Sequence, residues 1–282
     1  PNSILLKVYF YILNFQFYIL MCYDISFSTR IEMLTDYFQG LEIDPQAAFD
    51  FDRTLHVQAQ AHRKYPVVLM DDGKYKLKPF EWGIIPDYMD TPEKIKKGRS
   101  SMCNARSEKL VDDKKSWWHR IRKNRCLIPV TGIFEHREVK GWKNKVPYHV
   151  QLKERNIFCI PGLYYYPHRA DVETGEITGT FTLITRGANS LMSQIHNSGD
   201  QAFRMPLFLP RELENEWLQP TLSDDQIAQI LHFEMPSEKL DADPVYTIRT
   251  TKERPDSKEK TAHFDWPGLP PLGIDSIELS LF

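Results

Sequence analysis

The sequence predicts an α+β fold: a curved, mainly antiparallel β-sheet closing into a barrel-like core, with helices on its flanks. Three observations carry this. Strand-like runs outnumber helical ones, they do not alternate with helices as a doubly wound parallel sheet requires, and one pair is joined by an Asp-Gly turn. In chain order, Thr29-x-x-Glu32 reads as a capping box before Ile31, Leu34, Phe38 and Leu41, which recur at helical spacing. Residues 65–70 and 75–79 form two strand runs around Asp71-Asp72-Gly73-Lys74, a hairpin pattern. Thr91-Pro92 starts a helix, and residues 107–123 suit another. Strand runs follow at 126–130, 133–135, 147–152, 157–165, 180–185 and 204–209, and two helices at 211–218 and 223–231. From Thr251 onward Pro, Lys, Asp and Glu dominate and periodicity disappears, which predicts a tail.

At 282 residues, 41% apolar and 26% charged, the chain is neither collagenous nor wholly disordered, and it can bury a sizeable core. A net charge of −2 argues against nucleic acid on average. The average hides one segment. From Lys94 to Arg125 there are twelve basic residues, Lys94, Lys96, Arg99 and Arg106 among them, against three acidic ones. That net of +9 leaves about −11 for the rest and fits an electrostatic track for a phosphate backbone, although such runs are also ordinary solvated faces. Cys22, Cys103, Cys126 and Cys159 form no C-x-x-C pair, so neither a disulfide framework nor a zinc knuckle is expected, and no metal or cofactor. A reducing cytoplasm is the simplest setting.

Residues 1–20 hold one charge, Lys7, and the chain starts at Pro1. The apolar run is 17 residues long and broken by Lys7, Asn14 and Gln16, short of a membrane span, and no small residue marks a cleavage site. The favoured reading is an upstream extension, with translation starting at Met21. Removal of Met21 would leave Cys22 first, its α-amine and thiol on adjacent carbons. An α-amine has an ordinary pKa of about 7.7–8.0, so a fraction is the free base at neutral pH.

Several short stretches line up in order: Met21-Cys22-Tyr23, Trp82-Gly83-Ile84-Ile85-Pro86, Asn104-Ala105-Arg106-Ser107-Glu108, Arg125-Cys126-Leu127-Ile128-Pro129, Gly132-Ile133-Phe134-Glu135, and Ile195-His196 followed by Arg204-Met205-Pro206. Together they resemble the SOS-response-associated peptidase (SRAP) family, whose members protect abasic sites in single-stranded DNA. The resemblance covers residues 21 to about 250, which predicts one catalytic domain over 21–250 and a tail over 251–282. It implies that Cys22 is the nucleophile, that Asn104 orients it, that Glu135 and His196 are catalytic, and that Arg106 grips a phosphate. It also implies autocatalytic removal of Met21 and a thiazolidine crosslink to the abasic aldehyde, and it gives Trp82 the task of stacking on a base.

Read as residues alone, His196 is more often a loop histidine, Asn104 suits a turn residue equally well, and Trp82 suits plain core. Glu135 closes the apolar run Ile133-Phe134, where a carboxylate seldom lies buried without a task. Three features depart from the family pattern: Glu81 precedes Trp82 and Asp87-Tyr88 follows Pro86 where relatives often carry Phe-Trp, Asn197 to Phe203 are inserted before Arg204-Met205-Pro206, and His136 follows Glu135 where tryptophan is common. Glu278-Leu279-Ser280-Leu281-Phe282 resembles the pentapeptide that docks bacterial proteins on the DNA sliding clamp. The expected partner is therefore single-stranded DNA, with the clamp as a second partner, in a cytoplasmic, nucleoid-associated monomer. The alternatives are a thiol peptidase acting on other proteins and a module that binds damaged DNA without bond formation.

Overall fold

The computed structural model describes residues 24–51, 54–168, 170, 175–250 and 253–274. Thirteen strands are described: β1 (Asp24–Phe27), β2 (Glu42–Ile43), β3 (Thr54–Gln58), β4 (Lys64–Asp71), β5 (Lys74–Trp82), β6 (Asn104–Arg106), β7 (Arg125–Val130), β8 (Gly132–Arg137), β9 (Val146–Leu152), β10 (Phe158–Tyr165), β11 (Thr180–Gly187), β12 (Arg204–Pro206) and β13 (Leu240–Pro244). They form two sheets, one ordered β13-β9-β8-β1-β3 and the other β12-β11-β10-β7-β4-β5-β2. The first is antiparallel throughout. In the second, β5 also pairs in parallel with β11, which closes β11, β10, β7, β4 and β5 into a ring. The expected curved, barrel-like, mainly antiparallel sheet is what forms.

The hairpin of β4 and β5 turns on Asp72 and Gly73, whose φ angles of +51° and +75° supply the two left-handed residues of a type I′ turn. Thr91 caps the helix Pro92–Gly98 through its hydroxyl, with Pro92 in the first turn. Ser223 and Gln226 complete a reciprocal capping box on the helix Asp224–His232. The box expected at Thr29 and Glu32 does not form; a helix of one turn, Met33–Tyr37, starts at Glu32 without a side-chain cap and still buries Leu34. The long helix expected over 107–123 is two short ones, Ser107–Val111 and Trp117–Arg120, the second capped by Ser116.

Alternation along β8 separates two environments. Ile133 belongs to the main core, whereas Phe134 packs with Val245 and Ile248 in a small second cluster on the other face of the five-stranded sheet. Residues 253–274, expected as a tail, fold back onto the domain. Arg137, fully buried, donates to the carbonyls of Pro270, Pro271 and Ile274 at 2.8, 2.7 and 2.5 Å, and Trp266 donates its indole N–H to Val245. Buried guanidinium donors need acceptors, and a proline-rich segment supplies carbonyls that no strand is using. Among the described residues no helix is long and apolar enough to cross a membrane.

Candidate functional site

Strand pairing and three side-chain bonds bring the separate motifs together. β6 lies parallel to β11, with Asn104 opposite Leu183 and Arg106 opposite Thr185. Beyond β11 the chain makes the helix Ser190–Ile195, which Asn189 caps and which packs against β8, and His196 is the residue that ends it. β12 then returns beside β11, Arg204 opposite Gly187. Arg204 forms a two-pronged ion pair with Glu108 at 2.6 and 3.0 Å, and Arg106 donates to Gln201 Oε1. Asn197 exchanges two hydrogen bonds with the backbone of Glu138, three residues beyond Glu135. The strands carrying Asn104 and Glu135 are thereby tied to the segment carrying His196.

Asn104, Glu135 and His196 are 7, 4 and 5% exposed. His196 Nδ1 lies 2.9 Å from the carbonyl oxygen of Arg204 and 3.3 Å from its amide nitrogen. The first contact requires a proton on Nδ1 and the second a lone pair there, so the tautomer sets which of the two is a hydrogen bond. Glu135 shares the core-facing side of β8 with Ile133 and Arg137.

Cys22 lies outside the described residues. Two residues later Asp24 enters β1 opposite Phe134, the neighbour of Glu135. Asp24 is buried, with His56 Nε2 at 2.6 Å from its Oδ1 and Arg249 paired to the same carboxylate. Burial would raise its pKa, but the hydrogen bond from His56 and the Arg249 charge outweigh it and hold the group below its ordinary value. Nothing in the sequence marked Asp24, His56 and Arg249 as a cluster, because their pairing needs β1, β3 and the segment after β13 in one place. Burial pushes the Cys103 thiol up to about 12 and the Cys126 and Cys159 thiols well above their ordinary value, so these three stay protonated and unreactive at neutral pH.

The residues expected to touch DNA divide. Trp82 is wholly buried; its indole N–H donates to the Cys103 carbonyl at 2.9 Å and its ring stacks on Phe181, so it is a core residue and offers no face to a base. The following Gly83 has φ +99°, and a Cβ there would meet His62 Nδ1 at 2.9 Å, which is why the chain can leave β5 only through glycine. Arg99 is likewise removed from the track: its guanidinium is bound to Glu81 at 2.6 Å and to the Gly83 carbonyl. Arg125 is buried and donates to Trp217 and Gln219 carbonyls, and Arg122 is paired with Asp224. Lys94 sits on the surface beside Asp90. Lys96, Lys97, Arg106, Lys109, Lys114, Lys115, Arg120 and Lys123 are exposed, so the basic surface lacks three arginines that the charge count included. A cleft of about 900 Å³, bordered by Lys64, Pro86, Lys96 and Thr180, lies at the opposite end of β11 from Thr185 and is not part of this site.

A β-ring flanked by an antiparallel sheet, with a buried amide, carboxylate and imidazole carried on three linked segments, defines a class of protein that comparison identifies. The profile of the SOS response associated peptidase (SRAP) family matches residues 21–248, and the chain belongs to that family. It is 33% identical to abasic site processing protein YoqW of Bacillus subtilis over 164 residues, which are 58% of this chain and 66% of that protein, just under two thirds of its length. It is 30% identical to YobE, also named an abasic site processing protein, over 66% of this chain and 78% of that one. A crystal structure of a protein from Bacteroides thetaiotaomicron superposes with a TM-score of 0.68 at 32% identity, covering 80% of this chain and 92% of that one.

Proposed function

We propose that this chain processes abasic sites in single-stranded DNA and joins itself to them through Cys22. The observation that carries the reading is the linkage of the Asn104, Glu135 and His196 segments through Arg204–Glu108, Arg106–Gln201 and Asn197–Glu138. The relatives' names point to the same substrate.

The chemistry follows from the groups. An abasic deoxyribose opens to an aldehyde. The Cys22 amine adds to its carbon, a proton from an acid carries the hydroxyl away as water, and an imine results. The Cys22 sulfur then adds to the imine carbon and its proton passes to nitrogen, closing a thiazolidine; one water is lost overall and no oxidant is needed. His196 and Glu135 are the proton carriers, and Asn104 orients the amine and the intermediate. Arg106 holds the phosphate beside the lesion through a planar guanidinium. The same groups release Met21 by adding one water across the Met21–Cys22 peptide bond, which leaves a carboxylate on Met21 and the free amine on Cys22 that imine formation needs. Docking of residues 278–282, which lie outside the described residues, on a sliding clamp is a further part of the reading; deleting them should abolish co-elution with the clamp.

Intact mass spectrometry, before and after mixing with a single-stranded oligonucleotide bearing one abasic site, tests the crosslink. The expected result is a mass beginning at Cys22 and a heat-stable adduct that Cys22→Ala lacks. A retained upstream segment with no adduct overturns the mechanism.

A further inference from the structure

With Trp82 in the core, the site has no aromatic face where the sequence placed one, and the fold supplies another. Six large apolar side chains stand exposed among the described residues, and Phe203, at 56%, is the one on the segment that joins His196 to Arg204. Its backbone is held at φ +60°, a left-handed conformation that bulky L-residues seldom adopt. The conformation is imposed from both sides: the Phe203 amide donates to the His196 carbonyl at 2.8 Å, and its own carbonyl accepts from Ala188 at 2.9 Å. The loop is pinned at its start by Asn197 on Glu138 and at its middle by Gln201 on Arg106. A strained, anchored backbone thus presents an apolar ring to solvent on the loop that follows a buried histidine.

We propose that Phe203 is the base-stacking residue of the site: its ring receives a nucleobase of the single strand next to the reacting sugar. Two residues before it, Gln201 Oε1 occupies an acceptor position on the Arg106 guanidinium. A phosphate oxygen arriving there displaces it, on the same loop that presents the ring. Stacking on an aromatic face is tolerant of sequence, which suits a lesion found beside any base. Tyr88 is as exposed, but its hydroxyl points to Met102 Sδ and it follows the loop after β5, among residues bordering the cleft at the far end of β11.

This inference rests on the single-stranded DNA reading above, and its test avoids the crosslink. The full chain is titrated with an oligonucleotide containing a tetrahydrofuran abasic analogue, which has no aldehyde, flanked by 2-aminopurine. Phe203→Asn keeps a residue that tolerates a left-handed backbone while removing the ring. It should weaken binding about 5- to 150-fold and lose the 2-aminopurine quenching, whereas Phe203→Trp retains both. If Phe203→Asn binds and quenches like wild type, the inference is overturned and the parent reading stands. If wild type itself does not bind the oligonucleotide, the parent reading falls with it.

Discussion

The proposed reaction draws on a few polar side chains that the fold buries. Asn104, Glu135 and His196 are each at most 7% exposed, and burial of polar groups at that level costs stability unless they are bonded. If Glu135 and His196 move protons in crosslinking, Glu135→Gln and His196→Ala should each slow adduct formation by about 10²- to 10⁴-fold in single-turnover gel assays, with noncovalent affinity unchanged. Arg106 makes a different prediction. Its exposed guanidinium donates to the neutral Gln201 amide, so Gln201→Glu would replace that amide with a competing carboxylate. Single-strand affinity should fall, and Arg106→Ala should lower the slope of log affinity against log salt by about 1. An unchanged salt slope in Arg106→Ala would remove it from the phosphate contact.

At the scale of elements, the segment over residues 253–274 belongs to the folded domain. Its carbonyls accept three hydrogen bonds from Arg137, two residues from Glu135 on the same strand. Deleting residues 253–282 withdraws those acceptors from a fully buried cation, and such losses cost about 3–5 kcal/mol. Urea denaturation should show the free energy of unfolding reduced by that amount, with a correspondingly lower midpoint; Arg137→Met in the deleted chain should recover part of it, because an apolar side chain needs no acceptor there. The sequence does not show these contacts because a proline-rich, aperiodic stretch without its own core looks like a tail whether or not a buried arginine captures it. The same limit split the helix expected over 107–123, where Ser116 caps a second helix instead of continuing the first. Local signals succeeded where they were complete within a few residues, as at Asp72-Gly73 and at Ser223 with Gln226.

For the whole molecule, the outer face of the five-stranded sheet gathers His136 and His149, and burial lowers each pKa to about 4 from 6.5. His149 sits 3.0 Å from the Ser26 hydroxyl, and its ring leaves no space for a side chain at Gly132, where a Cβ would approach Nε2 to 2.1 Å. Both imidazoles are neutral in the fold, while the unfolded chain takes up protons below pH 6.5. Between pH 6.5 and about 4 the unfolded state therefore binds more protons, and stability falls as pH falls. The two groups together should cost a few kcal/mol by pH 4. Thermal melts across this window should show Tm dropping with acid, and His149→Gln should flatten the slope; a Tm independent of pH from 7 to 4.5 would contradict the burial of both rings.

The order of short motifs along the chain determined the family, and with it the fold class. Those are statements about residue types at fixed local spacing, and they need no knowledge of what lies opposite. Tertiary structure alone decided which side chains reach the surface. Trp82 became core because β5 pairs in parallel with β11, setting its ring on Phe181 ninety-nine positions away; Arg99 left the basic track because Glu81 lies beside it; Phe203 is exposed because its backbone is fastened to His196 and Ala188. Burial and ion pairing are properties of partners far apart in sequence, so hydrophobicity and charge counts along one chain do not report them.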